Sequence, residues 1–280
     1  MADAPANQAQ LSGSLPLYKD PQPLSANEHK GKGVKFASEP FAFLREAHFV
    51  PLTIGEFGPA GSRFPVIFLG ENKVPVAAMG LRQGQNLFID EKGEFEDMAY
   101  LPAFVRRYPF VAASHSQDKE RFTVCIDAGS PLFSDNPDQP FFGEDGQPTE
   151  FTQRAIEFVR RYEADANATQ QFVERMNALD LFEQQNANFQ PRDAAGQPAG
   201  EPQVVATYHA ISSDKLKALP AETLAELRDN AYLGAIYAHM ISMSQWDFVI
   251  QRAVRRQNAQ GGDAGAPAGA TDAPPPPPEQ

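Results

Sequence analysis

The chain has 280 residues, 42% of them hydrophobic and 21 of them Phe, enough apolar side chain for one large core or two smaller ones. Its 36 Asp and Glu outnumber 24 Lys and Arg for a formal charge of −12, and no basic run is longer than a pair. Such a field argues against nucleic acid and anionic lipid as partners, because both require clustered cations.

Residues 1–14 are small and polar and read as a flexible arm. No basic n-region with an apolar h-region opens the chain, and no stretch approaches the ~20 apolar residues of a spanning helix. The expectation is a soluble, cytoplasmic protein. From 33 to 127 the punctuation is that of strands joined by tight turns. FPVIFLG, GENK and VPVAAMGL form one hairpin, pairing 64–69 with 74–80. NLFID, EKG and EFEDM form a second. RYPFVAASH, SQDKE and RFTVCID form a third. With no helix between them, these strands predict an antiparallel sheet. Residues 127–150, rich in Gly, Pro, Asp and Asn, read as a long loop.

Thr149 then offers an N-cap to a helix whose apolar residues recur at 151, 155, 158, 159, 162, 166, 172, 173, 176 and 179. This is one long helix, or two with a break near Asn167. A loop from Leu181 leads to a strand over 203–211. Ser213 caps a short helix, Pro220 opens another running to Met243, and an amphipathic turn or two reaches Arg256. A Gly/Ala/Pro-rich tail, 257–280, ends the chain and includes five consecutive prolines. The fold class is α+β: an antiparallel β-sheet-rich N-terminal half packed with a helical C-terminal half, in one domain over 15–256.

The string FVRRY occurs at 104–108 and again at 158–162. In the first copy Pro102 and Pro109 bar a long helix, so an extended chain is expected, with Phe104, Arg106, Tyr108 and Phe110 on one face. In the second, Phe158, Val159 and Tyr162 join the helical stripe and both arginines face solvent. The flanks share nothing more, so there is no larger repeat. Arg106, placed among rings, is expected to be partly buried. Its fork then needs an anion: a structural pair with Asp90, Asp127 or Glu56, or a ligand.

The segments HKGKGVKF, HFVPLTIGEF, FPVIFLGENKVPVAAMGLRQGQNLFID, YLPAFVRRYPF and FTVCIDAGSPLF resemble the SapC family of bacterial proteins. GEDGQPTEF, ATQQFVERMNALDLFE and LGAIYAHMISM extend the resemblance, which runs from about 15 to 252. Phe95 stands where the family usually has Trp. The family name derives from a surface-layer gene region, and a peptide-transporter permease label attached to some members does not fit a chain with no spanning segment. Genes of the family often lie near TonB-dependent receptors and flavin-dependent halogenases. The resemblance therefore implies an accessory role in uptake or modification and brings no catalytic residues with it.

Direct signs of chemistry are few. The five histidines, His29, His48, His115, His209 and His239, have no metal-ligand spacing, although a site from His48, Glu56 and Asp127 is open to a folded chain. His239, in an apolar helix face, reads as a hydrogen-bonded core histidine. No nucleophile elbow, phosphate loop or dinucleotide fingerprint occurs. Cys125, the single cysteine, lies in an apolar strand and reads as a small buried hydrophobe. The acids at 127–145 lack the order of a calcium loop. The candidate ligand-binding set is Glu56, Asn86, Arg106, Arg107 and Asp127, with no metal and no identified cofactor.

Three functions compete. The first is a non-catalytic accessory protein that binds a protein partner or small ligand. The second is an enzyme of unassigned chemistry with a polar pocket near Glu56, Asn86, Arg106 and Asp127. The third is an envelope or surface-layer-associated protein. The sequence leaves the oligomeric state open.

Overall fold

The computed structural model describes residues 17–115, 118–190 and 200–259. The arm at 1–14 and the tail from 260 lie outside these residues. The strands are β1 (Pro21–Pro23), β2 (Gly33–Val34), β3 (Phe49–Pro51), β4 (Val66–Leu69), β5 (Val74–Ala78), β6 (Phe110–His115), β7 (Asp118–Asp127), β8 (Phe133–Ser134), β9 (Gln139–Pro140), β10 (Phe182–Phe189) and β11 (Gln203–Ile211). The helices are α1 (Ala26–His29), α2 (Phe57–Gly61), α3 (Ala103–Arg106), α4 (Glu150–Ala178), α5 (Ser213–Lys217), α6 (Ala221–Asp229), α7 (Tyr232–Ser242) and α8 (Gln245–Ala259). With antiparallel sheets drawn mainly from the first half and helices from the second, the class is α+β. The described residues fall into two compact units, one of residues up to Pro40 with Arg107–Glu163, the other of Phe41–Arg106 with residues from Ala164 on.

In the first unit, β1, β7 and β6 form one antiparallel sheet and β8, β2 and β9 a smaller one. Gly33 is required in β2, because a Cβ there would collide with the Gln139 carbonyl oxygen. Val34, Phe110, Ile126, Phe141, Phe142 and Val159 make the core, and burying each of these side chains stabilises the unit by about 1.5–3 kcal/mol. Phe141 and Phe142 come from the segment expected to be a plain loop. Its Asp and Asn turns are present, but β8, β9 and these two rings pin it to the core.

The second unit holds a five-stranded sheet in the order β10-β11-β4-β5-β3. The β4–β5 hairpin forms where two apolar runs flank the GENK turn, with Val66 opposite Ala77 and Leu69 opposite Val74. The pairing of β11 with β4 falls at His209 and Phe68. Where the two strands part, His239 of α7 fills the gap. Its Nδ1 donates to the Val66 carbonyl at 2.7 Å and its Nε2 accepts from the Ile211 N–H at 3.0 Å. Ser242 Oγ accepts the Val66 N–H at 2.9 Å, so one turn of α7 satisfies both backbone groups of that residue. Phe57, Phe68, Phe172 and Phe182 pack edge-to-face or stacked around this seam.

Several expectations need correction. The first FVRRY is not extended: Ala103–Arg106 is the helix α3. Pro102 precedes its first residue, where a missing N–H costs nothing, so the proline starts this helix rather than barring it. Helical geometry reverses the expected faces, leaving Arg106 exposed and Arg107 buried. The second FVRRY lies in α4, which runs unbroken through Asn167. The NLFID/EFEDM hairpin closes with a single bridge, Ile89 to Phe95, rather than two full strands. Residues 182–189, read as loop because their polar run hides the period, form the edge strand β10. The helix expected from Pro220 to Met243 is two, parted at Ala231 in a left-handed conformation (φ 61°). Ser212 rather than Ser213 precedes α5, and α8 continues to Ala259, past the expected start of the tail.

Candidate functional site

Glu56 closes the 3-10 turn that follows Thr53, and its side chain folds back in the manner of a capping box. Oε2 accepts the Thr53 N–H at 2.8 Å and the Thr53 hydroxyl at 3.0 Å. Oε1 accepts the Tyr100 hydroxyl at 3.0 Å and the Ala103 N–H, the first of α3, at 2.6 Å. The carboxylate is thus buried with both oxygens engaged, and it anchors the segment that carries Arg106. Arg106 Nη2 donates to the Tyr100 hydroxyl at 3.1 Å and its guanidinium lies 5.7 Å from that ring's centre. Burial, and then the Glu56 charge, push the Tyr100 phenol upward. Asn86 stands apart from this group. Its Oδ1 accepts the Phe88 N–H at 2.9 Å and its Nδ2 faces Met79 Sδ at 3.7 Å.

Arg107 and Asp127 belong to the first unit. Asp127 is fully buried and gathers the chain around it: Oδ1 accepts from Asp20 N–H at 2.7 Å and Gly129 N–H at 3.2 Å, and Oδ2 from the Tyr108 hydroxyl at 3.3 Å. Arg107, with a side chain 4% exposed, pairs with Glu163 at 3.1 Å. It stacks 4.1 Å from the centre of the Tyr162 ring and 5.7 Å from that of Tyr18. The two FVRRY copies therefore meet: an arginine of the first rests on the tyrosine of the second and binds the acid that follows it. Burial raises the Glu163 carboxyl above its ordinary value, with Arg107 opposing, and pushes the Tyr18 phenol up to about 12. Cys125 is buried and its thiol is held up at about 11, far from a reactive thiolate.

Of the five residues singled out by sequence, Glu56 and Arg106 meet through Tyr100, Asn86 lies elsewhere in the same unit, and Arg107 and Asp127 stand in the other. Among the described residues, no group of three His, Cys, Asp or Glu is placed to hold a metal ion, the set His48, Glu56 and Asp127 included.

A cleft of about 820 Å³ lies between the 86–97 hairpin and α8, lined by Phe88, Phe95 and Phe248 and by charges of both signs. The hairpin turn is closed by Gly93 in a left-handed conformation (φ 70°) and by Asp90, whose Oδ1 accepts the N–H groups of Lys92 at 2.9 Å and Glu94 at 2.8 Å. Helix α8 is bolted on by two arginines. Arg252 pairs with Glu96, donates to the Leu87 carbonyl at 2.8 Å and stacks 4.6 Å from the Phe88 ring centre. Arg256 donates to the Asn86 carbonyl at 2.9 Å, so Asn86 supports this wall through its backbone. The remaining charges have no such role. Among the described residues, no hydrogen bond or ion pair engages the side chains of Arg255 on the helix wall or Glu91, Glu94 and Asp97 on the hairpin wall. In the sequence the acidic hairpin and the Arg pair stand far apart, and nothing local in the chain shows that they share a cleft.

A protein-family model described as SapC matches residues 24–248. No curated protein and no solved structure matches the chain. No helix among the described residues is long and apolar enough to cross a membrane.

Proposed function

The chain belongs to the SapC family, and we propose that it is a non-catalytic accessory protein that docks a partner in the cleft between the 86–97 hairpin and α8. One observation carries this reading. The cleft combines aromatic surface with a cation and three carboxylates left unpaired among the described residues, the mixture that recognition surfaces use. The residues of the rival catalytic pocket support it from the other side. Glu56 and Asp127 commit their oxygens to backbone N–H and tyrosine hydroxyl groups of their own units, the arrangement of structural carboxylates. In this reading Glu56, Arg106, Arg107 and Asp127 hold the scaffold, and Asn86 holds the cleft wall.

The test is native and denatured mass spectrometry of the chain purified from its own host, beside the variant Phe248→Ser. The expected result is an added mass on the wild type that denaturation releases and the variant lacks. A wild-type chain that carries nothing and does not self-associate at any concentration, or a variant that keeps what the wild type carries, would remove the cleft as the docking site.

A further inference from the structure

The two walls of the cleft carry opposite unpaired charge and do not neutralise each other within one chain. Arg255 lies on α8, on the face that also presents Phe248 and Gln251, positions separated by three, four and seven residues and hence aligned along one side of a helix. Glu91, Glu94 and Asp97 lie on the hairpin. A surface with a cationic wall beside an anionic wall is complementary to itself. A two-fold axis brings the helix wall of one molecule against the hairpin wall of another, and does so twice.

An apolar pair repeats the pattern. Met98 directly follows the acidic wall and is 89% exposed, with its backbone in the left-handed region (φ 63°). That conformation is unfavourable for a non-glycine residue, and it holds an apolar side chain in water, so neither burial nor backbone preference within the chain accounts for it. On the other wall Phe248 is 39% exposed. Met98 and Phe248 thus leave exposed apolar surface beside the anionic and the cationic wall respectively, a pair whose chemistry suits a sulfur–aromatic contact between copies.

We infer that the partner docked at this cleft is a second copy of this chain, joined as a two-fold dimer in which Arg255 of each copy meets Glu94 of the other and Met98 of each covers Phe248. The inference rests on the reading of the cleft as a docking surface. Because each copy carries a formal charge of −12, long-range repulsion opposes association and the dimer is weak, with Kd on the order of micromolar or higher.

Sedimentation equilibrium of the full chain tests it at about 0.1 M salt, where charges are felt over about 10 Å. Four samples are compared: wild type, Arg255→Glu, Glu94→Arg, and an equimolar mixture of the two variants. The wild-type mass is expected to rise with concentration toward twice 30.7 kDa. Each variant alone stays at the mass of one chain, because reversal places like charges in both contacts. The mixture recovers the dimer. There the acid introduced on the helix of one chain faces the base introduced on the hairpin of the other. The second contact pairs the unaltered Glu94 of the first chain with the unaltered Arg255 of the second, so both are again opposite in sign. General charge does not reproduce that recovery. Both substitutions are at exposed positions, and an unchanged melting transition verifies the fold of each variant.

Single variants that associate as the wild type does, or a mixture that stays monomeric while the wild type dimerises, would overturn the dimer. So would a wild type that remains monomeric at every concentration. If that monomer still carries a host partner that Phe248→Ser loses, the cleft stands as a docking surface and only the second copy is wrong. If nothing is bound either, both readings fall.

Discussion

Substituting Arg107 and its neighbour Arg106 by leucine in turn separates a buried cation from an exposed one. Arg107→Leu removes the partner of the half-buried Glu163 and two ring contacts, and a broken buried pair of this kind costs roughly 3 kcal/mol. Arg106→Leu loses an exposed contact to Tyr100 and is expected to cost about 0.5 kcal/mol or less. Chemical denaturation of the two variants checks the contrast, and equal losses would contradict it. His239 yields a pH prediction. Burial holds its imidazole down at about 4 from the usual 6.5, with the bond to the Val66 carbonyl pulling the other way. Because the folded value is depressed, the stability tied to the neutral ring is full above pH 6.5 and is lost as the pH falls toward 4, by on the order of 3 kcal/mol. Unfolding free energies measured between about pH 8 and pH 4 should show that slope. His239→Gln should be less stable near neutral pH and should lack this part of the slope; an identical slope would assign it to carboxylates instead.

Longer segments differ in how openly they announce themselves. The stripe of α4 and the short apolar runs of β4 and β5 on either side of a tight turn are local patterns, and each element forms where its pattern lies. The edge strand β10 is hidden, because Glu183, Gln184, Gln185, Asn186 and Asn188 leave only Ala187 and the flanking Phe residues to mark a period. Pairing with β11 decides it. The break between α6 and α7 is also silent, since Ala231 is a good helix former forced into a left-handed conformation. Ala231→Gly removes that strain against a smaller loss of unfolded-state restriction, and is expected to stabilise by about 0.5–1 kcal/mol. Thermal unfolding of the variant checks this, and a lowered melting temperature would show that the alanine methyl is needed where it stands.

The whole chain is governed by its acidity. With 36 acids and 24 bases, net repulsion outweighs the exposed ion pairs, each worth under about 1 kcal/mol. Raising salt from about 0.02 to 0.2 M should therefore lift the melting temperature by roughly 1–3 °C; a fall would mean that local pairs dominate. The α+β class, the long helix, the first hairpin and the family resemblance were all legible in the sequence alone, because periodicity and turn chemistry act between residues a few positions apart. The tertiary structure decided what depends on distant partners. It chose Arg107 rather than Arg106 for burial, by placing Tyr162 and Glu163 against that guanidinium. It distributed Glu56, Asn86, Arg106, Arg107 and Asp127 between two units. It also brought α8 against the 86–97 hairpin, a contact between segments 165 and 170 residues apart at its two arginine bonds, for which no local pattern exists because the energy of the contact appears only once both elements have formed.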